Sequence, residues 1–120
     1  DIAYYPKFKK WCDDYFYLPH RNESRGIGGI FFDNLNSKNW NKDFNFIKEV
    51  GNFFKEYAIY ILEKLKDKPW SSQEKEIQLE KRSRYAEFNL LNDRGTRFGL
   101  ATGGNIDAVL MSMPPYVKWD

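Results

Sequence analysis

The sequence predicts an α+β domain in which α-helices cover an antiparallel β-sheet. Three observations predict it: two apolar stripes at helical spacing, a glycine-interrupted apolar run, and a final third that alternates between tight turns. From Lys7 to Tyr17, the residues Phe8, Trp11, Cys12 and Tyr15 fall at i, i+3, i+4 and i+7, with Lys9, Lys10, Asp13 and Asp14 opposite. That is the pattern of an amphipathic helix. Pro19 is its expected stop, since the ring cannot continue a helix and restricts Leu18 before it. A polar loop runs from Pro19 to Gly26. Ile27 to Asp33 reads as a short buried strand weakened by Gly28 and Gly29, a pairing that marks a bulge or a close backbone approach. Asn34 to Asn39 is turn-rich.

The clearest helix spans Trp40 to Lys66, where Ile47, Val50, Phe54, Tyr57, Ile61 and Leu65 step by three or four residues. Gly51 is a mild flaw in it, costing about 1 kcal/mol against Ala. Pro69 marks the stop. Ser71 to Glu74 matches a capping box and opens a second helix to about Arg82. Tyr85 to Asn92 then alternates, with Ala86, Phe88 and Leu90 on one side and Glu87 and Asn89 on the other, and so reads as a strand. Thr96 to Ala101 and Asp107 to Met113 read as two more, joined by turns at Asp93-Arg94-Gly95 and Gly103-Gly104-Asn105. The expectation is a three-stranded meander closed by Pro114-Pro115.

The 120 residues suffice for one hydrophobic core, so a single domain over 1–120 is expected. Nineteen basic residues balance seventeen acidic ones, giving a net charge of +2. Nucleic-acid binding normally needs a clustered basic face, so that class is disfavoured. No apolar run approaches the roughly 20 residues that span a bilayer. Cys12 is the lone cysteine, which rules out an internal disulfide and a thiolate metal cage. The chain opens on Asp1 without Met or a signal-like segment and closes at Trp119-Asp120 just after a strand-like stretch, so a fragment of a longer polypeptide is expected. Aromatic residues make up 18% of the chain. They suit a core and subunit interface first, with a pocket for a flat ligand as the functional alternative, and both can hold together.

The segment from His20 to Gly26 holds the chain's one histidine with Arg21, Glu23 and Arg25. It is either a solvated polar loop or an anion or metal site, since arginine donates bidentately to carboxylates and histidine ligates or moves protons near neutral pH. A lone histidine cannot hold a metal by itself. Gly26 to Asp33 lacks the Lys-Ser/Thr ending of a phosphate loop. Its bare backbone instead suits the close approach of a ligand or another chain, with Asp33 at the strand end. Asp93-Arg94-Gly95 is a hairpin turn or a self-contained ion pair. Gly103-Gly104-Asn105 is a turn whose exposed N–H groups could nest a carboxylate.

In order along the chain, Lys7-Phe-Lys-Lys-Trp-Cys-Asp-Asp-Tyr15, Pro19-His20-Arg21, Arg25-Gly-Ile-Gly-Gly-Ile-Phe-Phe-Asp33 and Arg84-Tyr-Ala-Glu-Phe-Asn-Leu90 resemble the oxygen-dependent coproporphyrinogen III oxidase family. So do Asp93-Arg-Gly-Thr96 with Phe98-Gly99-Leu100, and Thr102-Gly-Gly104 leading to Leu110-Met-Ser-Met-Pro-Pro115. The resemblance implies the C-terminal part of a domain with a large, flat antiparallel sheet covered by helices. It also implies oxidative decarboxylation of two propionates of coproporphyrinogen III to vinyls, with dioxygen as co-substrate and release of CO2, in haem synthesis. The family works without flavin or nicotinamide, and a divalent metal is credited to some members.

By the same resemblance His20 matches a metal ligand of some members. Arg21 and Arg25 match neighbouring arginines, with Arg25 the first choice for a propionate. Asp93 and Arg94 match a catalytic pair, and Gly103, Gly104 and Asn105 match a Gly-Gly-Arg substrate contact. Asn105 departs from that pattern and removes a charge, as Asn34 and Ser83 depart at a second aspartate and a glycine. Asp33 is expected to bind substrate. The family is homodimeric, and Tyr85, Phe88, Leu90, Phe98, Leu110, Met111 and Trp119 fall in its dimer region. Members are cytoplasmic in bacteria and mitochondrial in eukaryotes. A non-catalytic tetrapyrrole-binding or dimerisation piece, or a diverged paralogue, is the alternative.

Overall fold

A computed structural model describes residues 1–119. Its elements in chain order are α1 (Tyr4–Tyr15), β1 (Tyr17–Leu18), β2 (Glu23–Ser24), α2 (Trp40–Leu65), α3 (Ser72–Leu91), α4 (Arg94–Ala101) and α5 (Ile106–Val109). The described residues are mostly helical, with one small antiparallel sheet of two strands. They fall into two compact units, Asp1–Phe31 with Ser71–Asp120, and Phe32–Trp70.

In the first unit α1 presents its predicted stripe to the core, where Phe8 and Cys12 are buried. It ends at Tyr15, ahead of Pro19, because Leu18 is already extended in β1, as a residue preceding proline prefers. The hairpin pairs Tyr17 with Ser24 and Leu18 with Glu23, and Asn22 at its tip has a φ of 55°. Phe88 of α3 closes the core from the other side. Its ring lies 5.6 Å from Tyr15 and 5.3 Å from Phe16, and Tyr15 stacks on Phe31 at 4.6 Å.

The expected strands of the last third are helices. Ser71 forms the predicted capping box with Glu74, but the helix it opens runs on to Leu91 and absorbs Tyr85 to Asn92. No Gly or Pro lies between Pro69 and Gly95 to stop it. Ser83, Arg84, Ala86, Glu87, Phe88 and Asn89 are all buried, so this end of the helix is covered on nearly every side. Burial all round leaves no clean helical period to read. The segment Thr96 to Ala101 belongs to α4, and Asp107 to Met113 starts in α5 and ends in a turn. Asp93 accepts from the Thr96 N–H at 2.7 Å and Asn105 from the Ala108 N–H at 3.1 Å, so both turn residues are N-caps. Asp and Asn serve hairpin turns and helix caps alike, which is why spacing alone pointed to a meander. Ile27 to Asp33 forms no strand either. Extended chain needs a ladder partner, and none pairs with it among the described residues.

The second unit is dominated by α2, with Asn39 accepting from the Lys42 N–H at 3.0 Å as its N-cap. Its range agrees with the predicted helix to within a residue. Asp43 is buried and accepts from the Ser37 N–H at 2.8 Å. Phe44, Phe54 and Tyr57 are all more than half exposed. No helix among the described residues is long and apolar enough to cross a membrane.

Two glycines make opposite predictions. A Cβ on Gly51 meets nothing within 4 Å, whereas one on Gly104 would lie 2.9 Å from the Gly99 carbonyl oxygen. Gly51→Ala should stabilise by about 0.5–1 kcal/mol and Gly104→Ala should destabilise by about 1–3 kcal/mol, read as shifts in urea-unfolding midpoint.

Candidate anion-binding site

The site is organised by two charged side chains on the buried face of α3. Glu87 is 8% exposed and Arg84 7%. One carboxylate oxygen of Glu87 accepts from Arg21 Nε at 2.6 Å, and the other contacts His20 Nε2. Arg84 Nε donates to Glu23 at 2.5 Å, and Lys81 Nζ reaches the second Glu23 oxygen at 3.2 Å. The acid of the helix thus grips the hairpin turn, and the base of the helix grips β2. Burial pushes the Glu87 carboxyl up, but the hydrogen bonds from His20 and Arg21 outweigh it and hold the group below the ordinary value. The Arg84 hydrogen bond, then that of Lys81, lowers Glu23.

With the hairpin so fixed, Arg25 emerges from β2 into a box of rings. Its backbone N–H donates to the Phe16 carbonyl at 2.9 Å, and its guanidinium donates to Asn89 Oδ1 at 2.9 Å. The guanidinium carbon lies 3.8 Å from the Phe16 ring centre, 4.9 Å from Tyr85 and 5.2 Å from Phe88. Burial there pushes it down from its usual value, with Tyr85 and Asp93 acting against the shift. It remains a cation. Arg25 forms no ion pair among the described residues.

The other expected site residues divide. Asp93 faces Arg25 electrostatically while capping α4. Arg94 turns to Tyr15, donating to its hydroxyl at 3.2 Å. Arg25, Asp93 and Arg94 therefore meet in the neighbourhood of Tyr15. The Gly103 and Gly104 N–H groups are spent on the Leu100 and Gly99 carbonyls, so the turn offers no carboxylate nest in this conformation. Asn105 is likewise occupied as the α5 cap. Asp33 belongs to the second unit. Of the residues placed in a dimer region, Leu90, Phe98, Met111 and Trp119 are exposed, Tyr85 and Leu110 are half-buried, and Phe88 is 1% exposed within the chain's own core.

His20 has its Nε2 engaged by Glu87, which leaves Nδ1 as the nitrogen for any other partner. No three His, Cys, Asp or Glu side chains cluster as a metal site among the described residues. The described residues do not by themselves supply a ligand set. Glu23 belongs to the polar loop that the sequence singles out, whereas Glu87, Asn89 and Arg84 carry no site role in the sequence reading. The alternation reading put Glu87 and Asn89 on the outer side of a strand. Treating 72–91 as one uninterrupted helix would have placed Arg84, Glu87 and Phe88 at i, i+3 and i+4, on one face.

Arg25 is thus a half-buried guanidinium among rings, with the Asp93 carboxylate acting on it and no ion pair among the described residues, an arrangement that could receive an anion carried on an apolar body. The chain belongs to the coproporphyrinogen III oxidase family, whose profile matches residues 1–120. It is 56% identical over 119 residues to the oxygen-dependent coproporphyrinogen-III oxidases of Rickettsia bellii strains OSU 85-389 and RML369-C. The match covers 99% of this chain and 43% of each relative, so the chain spans less than half the length of the relatives it matches.

Glu87→Ala should cost about 2–4 kcal/mol in urea unfolding, because it removes the hydrogen bonds that Arg21 and His20 make to a buried carboxylate. The lowered Glu23 carboxyl contributes stability above its unfolded value near 4.3, and that stability is lost as pH falls through the folded value. Unfolding free energies measured from pH 6 downward should therefore fall less steeply in Glu23→Gln than in wild type.

Proposed function

We propose that this chain forms part of an enzyme that oxidatively decarboxylates coproporphyrinogen III to protoporphyrinogen IX. Family membership supports the reaction class. The observation that carries it to particular residues is Arg25, a cation held among Phe16, Tyr85 and Phe88 without an ion-pair partner among the described residues.

A propionate arm is a carboxylate two carbons from an apolar ring. Arg25 suits its charged end, and the ring box suits the pyrrole to which it is attached. Asp93 lies where it can orient Arg25 or accept from a pyrrole N–H, and Arg94 offers a second cation. For each propionate converted, the carboxyl carbon leaves as CO2, a vinyl forms, and two electrons with two protons pass to dioxygen. These residues hold the carboxylate and exclude water. Dioxygen is the oxidant, and the reaction is read as needing no flavin or nicotinamide. Any metal bound through His20 would need ligands beyond the described residues.

The complete protein is further read, on the family resemblance, as a homodimer with a larger antiparallel sheet, cytoplasmic if bacterial. A second reading is a tetrapyrrole-binding piece without activity of its own, favoured by the 43% coverage and by Asn105, whose side chain caps α5. Coproporphyrinogen turnover in air by a full-length protein carrying these residues tests the first reading. Arg25→Ala should lower kcat/KM about 100-fold, the equivalent of one charge-assisted hydrogen-bonded contact. Unchanged turnover would remove Arg25 from the site.

A further inference from the structure

A cavity of about 710 Å³ lies between α1, the loop after β2 and α3. That is within the roughly 300–1,000 Å³ of ordinary small-molecule sites. Its lining includes Arg25 and the glycine loop, and also Arg82, which no part of the reaction proposed above uses.

Arg82 lies 4.1 Å from the centre of the Tyr85 ring, the same ring that Arg25 approaches at 4.9 Å. Two guanidiniums thus share one aromatic side chain. Neither forms an ion pair among the described residues. The neighbouring Lys81 is already paired with Glu23. Asp13, the one carboxylate lining the cavity, is paired with Lys9 at 2.5 Å. Among the described residues, the cavity lining therefore leaves no unpaired carboxylate for either cation.

Residues 26–30 also line the cavity. Arg25 N donates to the Phe16 carbonyl and Phe31 N to the Phe8 carbonyl at 3.1 Å, but the N–H groups of residues 26–30 between them donate to no acceptor among the described residues. Gly28 has a φ of 91°, and a Cβ there would lie 3.3 Å from Asp13. Glycine keeps this stretch bare and close to the cavity.

We propose that this cavity is a carboxylate subsite, in which Arg82 and Arg25 receive one carboxylate arm of a ring-bearing ligand and the 26–30 amides offer further donors. The inference rests on the tetrapyrrole reading and adds Arg82 to it as a substrate-binding residue.

The test uses coproporphyrin III, a stable tetrapyrrole with four carboxylates, titrated by fluorescence against the full-length protein carrying these residues. Arg82→Gln should weaken binding about tenfold, and Arg82→Glu more, each tenfold step being about 1.4 kcal/mol. The tetramethyl ester should bind wild type and Arg82→Gln alike, which reads the carboxylate dependence without relying on the stability of a variant. Equal affinity of wild type and Arg82→Glu for the free acid would overturn the subsite, as would an ester that discriminates between the proteins as the acid does. Turnover separates the two proposals. Wild type that binds coproporphyrin through Arg82 but never decarboxylates coproporphyrinogen refutes the activity alone. Turnover with a KM unchanged by Arg82→Glu refutes the subsite alone.

Discussion

The first compact unit depends on two opposite charges buried on one face of α3. Glu87 reaches the hairpin turn through His20 and Arg21, and Arg84 reaches β2 through Glu23. A two-stranded hairpin is marginal alone in water, so β1–β2 must take its stability from what it is fastened to. Removing one member of such a pair leaves the other desolvated without compensation, which is why these contacts constrain the hairpin so strongly. The aromatic core formed by Phe8, Phe16 and Phe88 supplies the non-directional part of the same attachment.

Everything proposed to bind lies downstream of that fastening. Arg25 is the first residue after β2, and its direction is set by the Phe16 carbonyl and by Asn89, two residues beyond Glu87 on α3. The glycine loop then leaves the hairpin and returns at Phe31, whose ring stacks on Tyr15. One helix thus supplies the lock for the hairpin, the polar partner of Arg25, and the Tyr85 ring shared by Arg25 and Arg82. Substrate charge would enter a frame in which Asp13, Glu23 and Glu87 are already paired with other bases.

Much of this was legible in the sequence where local chemistry is unambiguous. The Phe8, Trp11, Cys12 and Tyr15 stripe, the Trp40 helix and the Ser71 capping box all reappear in the structure, because each rests on a period or on a cap with one meaning. The last third misleads because Ala86, Phe88 and Leu90 alternate within a stretch of α3 that is covered on nearly every side over residues 83–89. Asp93 and Asn105 were read as turn residues although they cap helices. The loop of His20, Arg21 and Arg25 was recognisable as polar and basic. Its partners were not, since Glu87 and Asn89 lie more than sixty positions away and only the path of α3 brings them to it.

The central claim, that α3 holds the hairpin and so aims Arg25, is tested most directly by amide hydrogen exchange. In Glu87→Ala the Arg25 amide, bonded to the Phe16 carbonyl in the native fold, should exchange at least about tenfold faster, while amides in the middle of α2 keep their wild-type rates. An Arg25 amide as protected in Glu87→Ala as in wild type would contradict it.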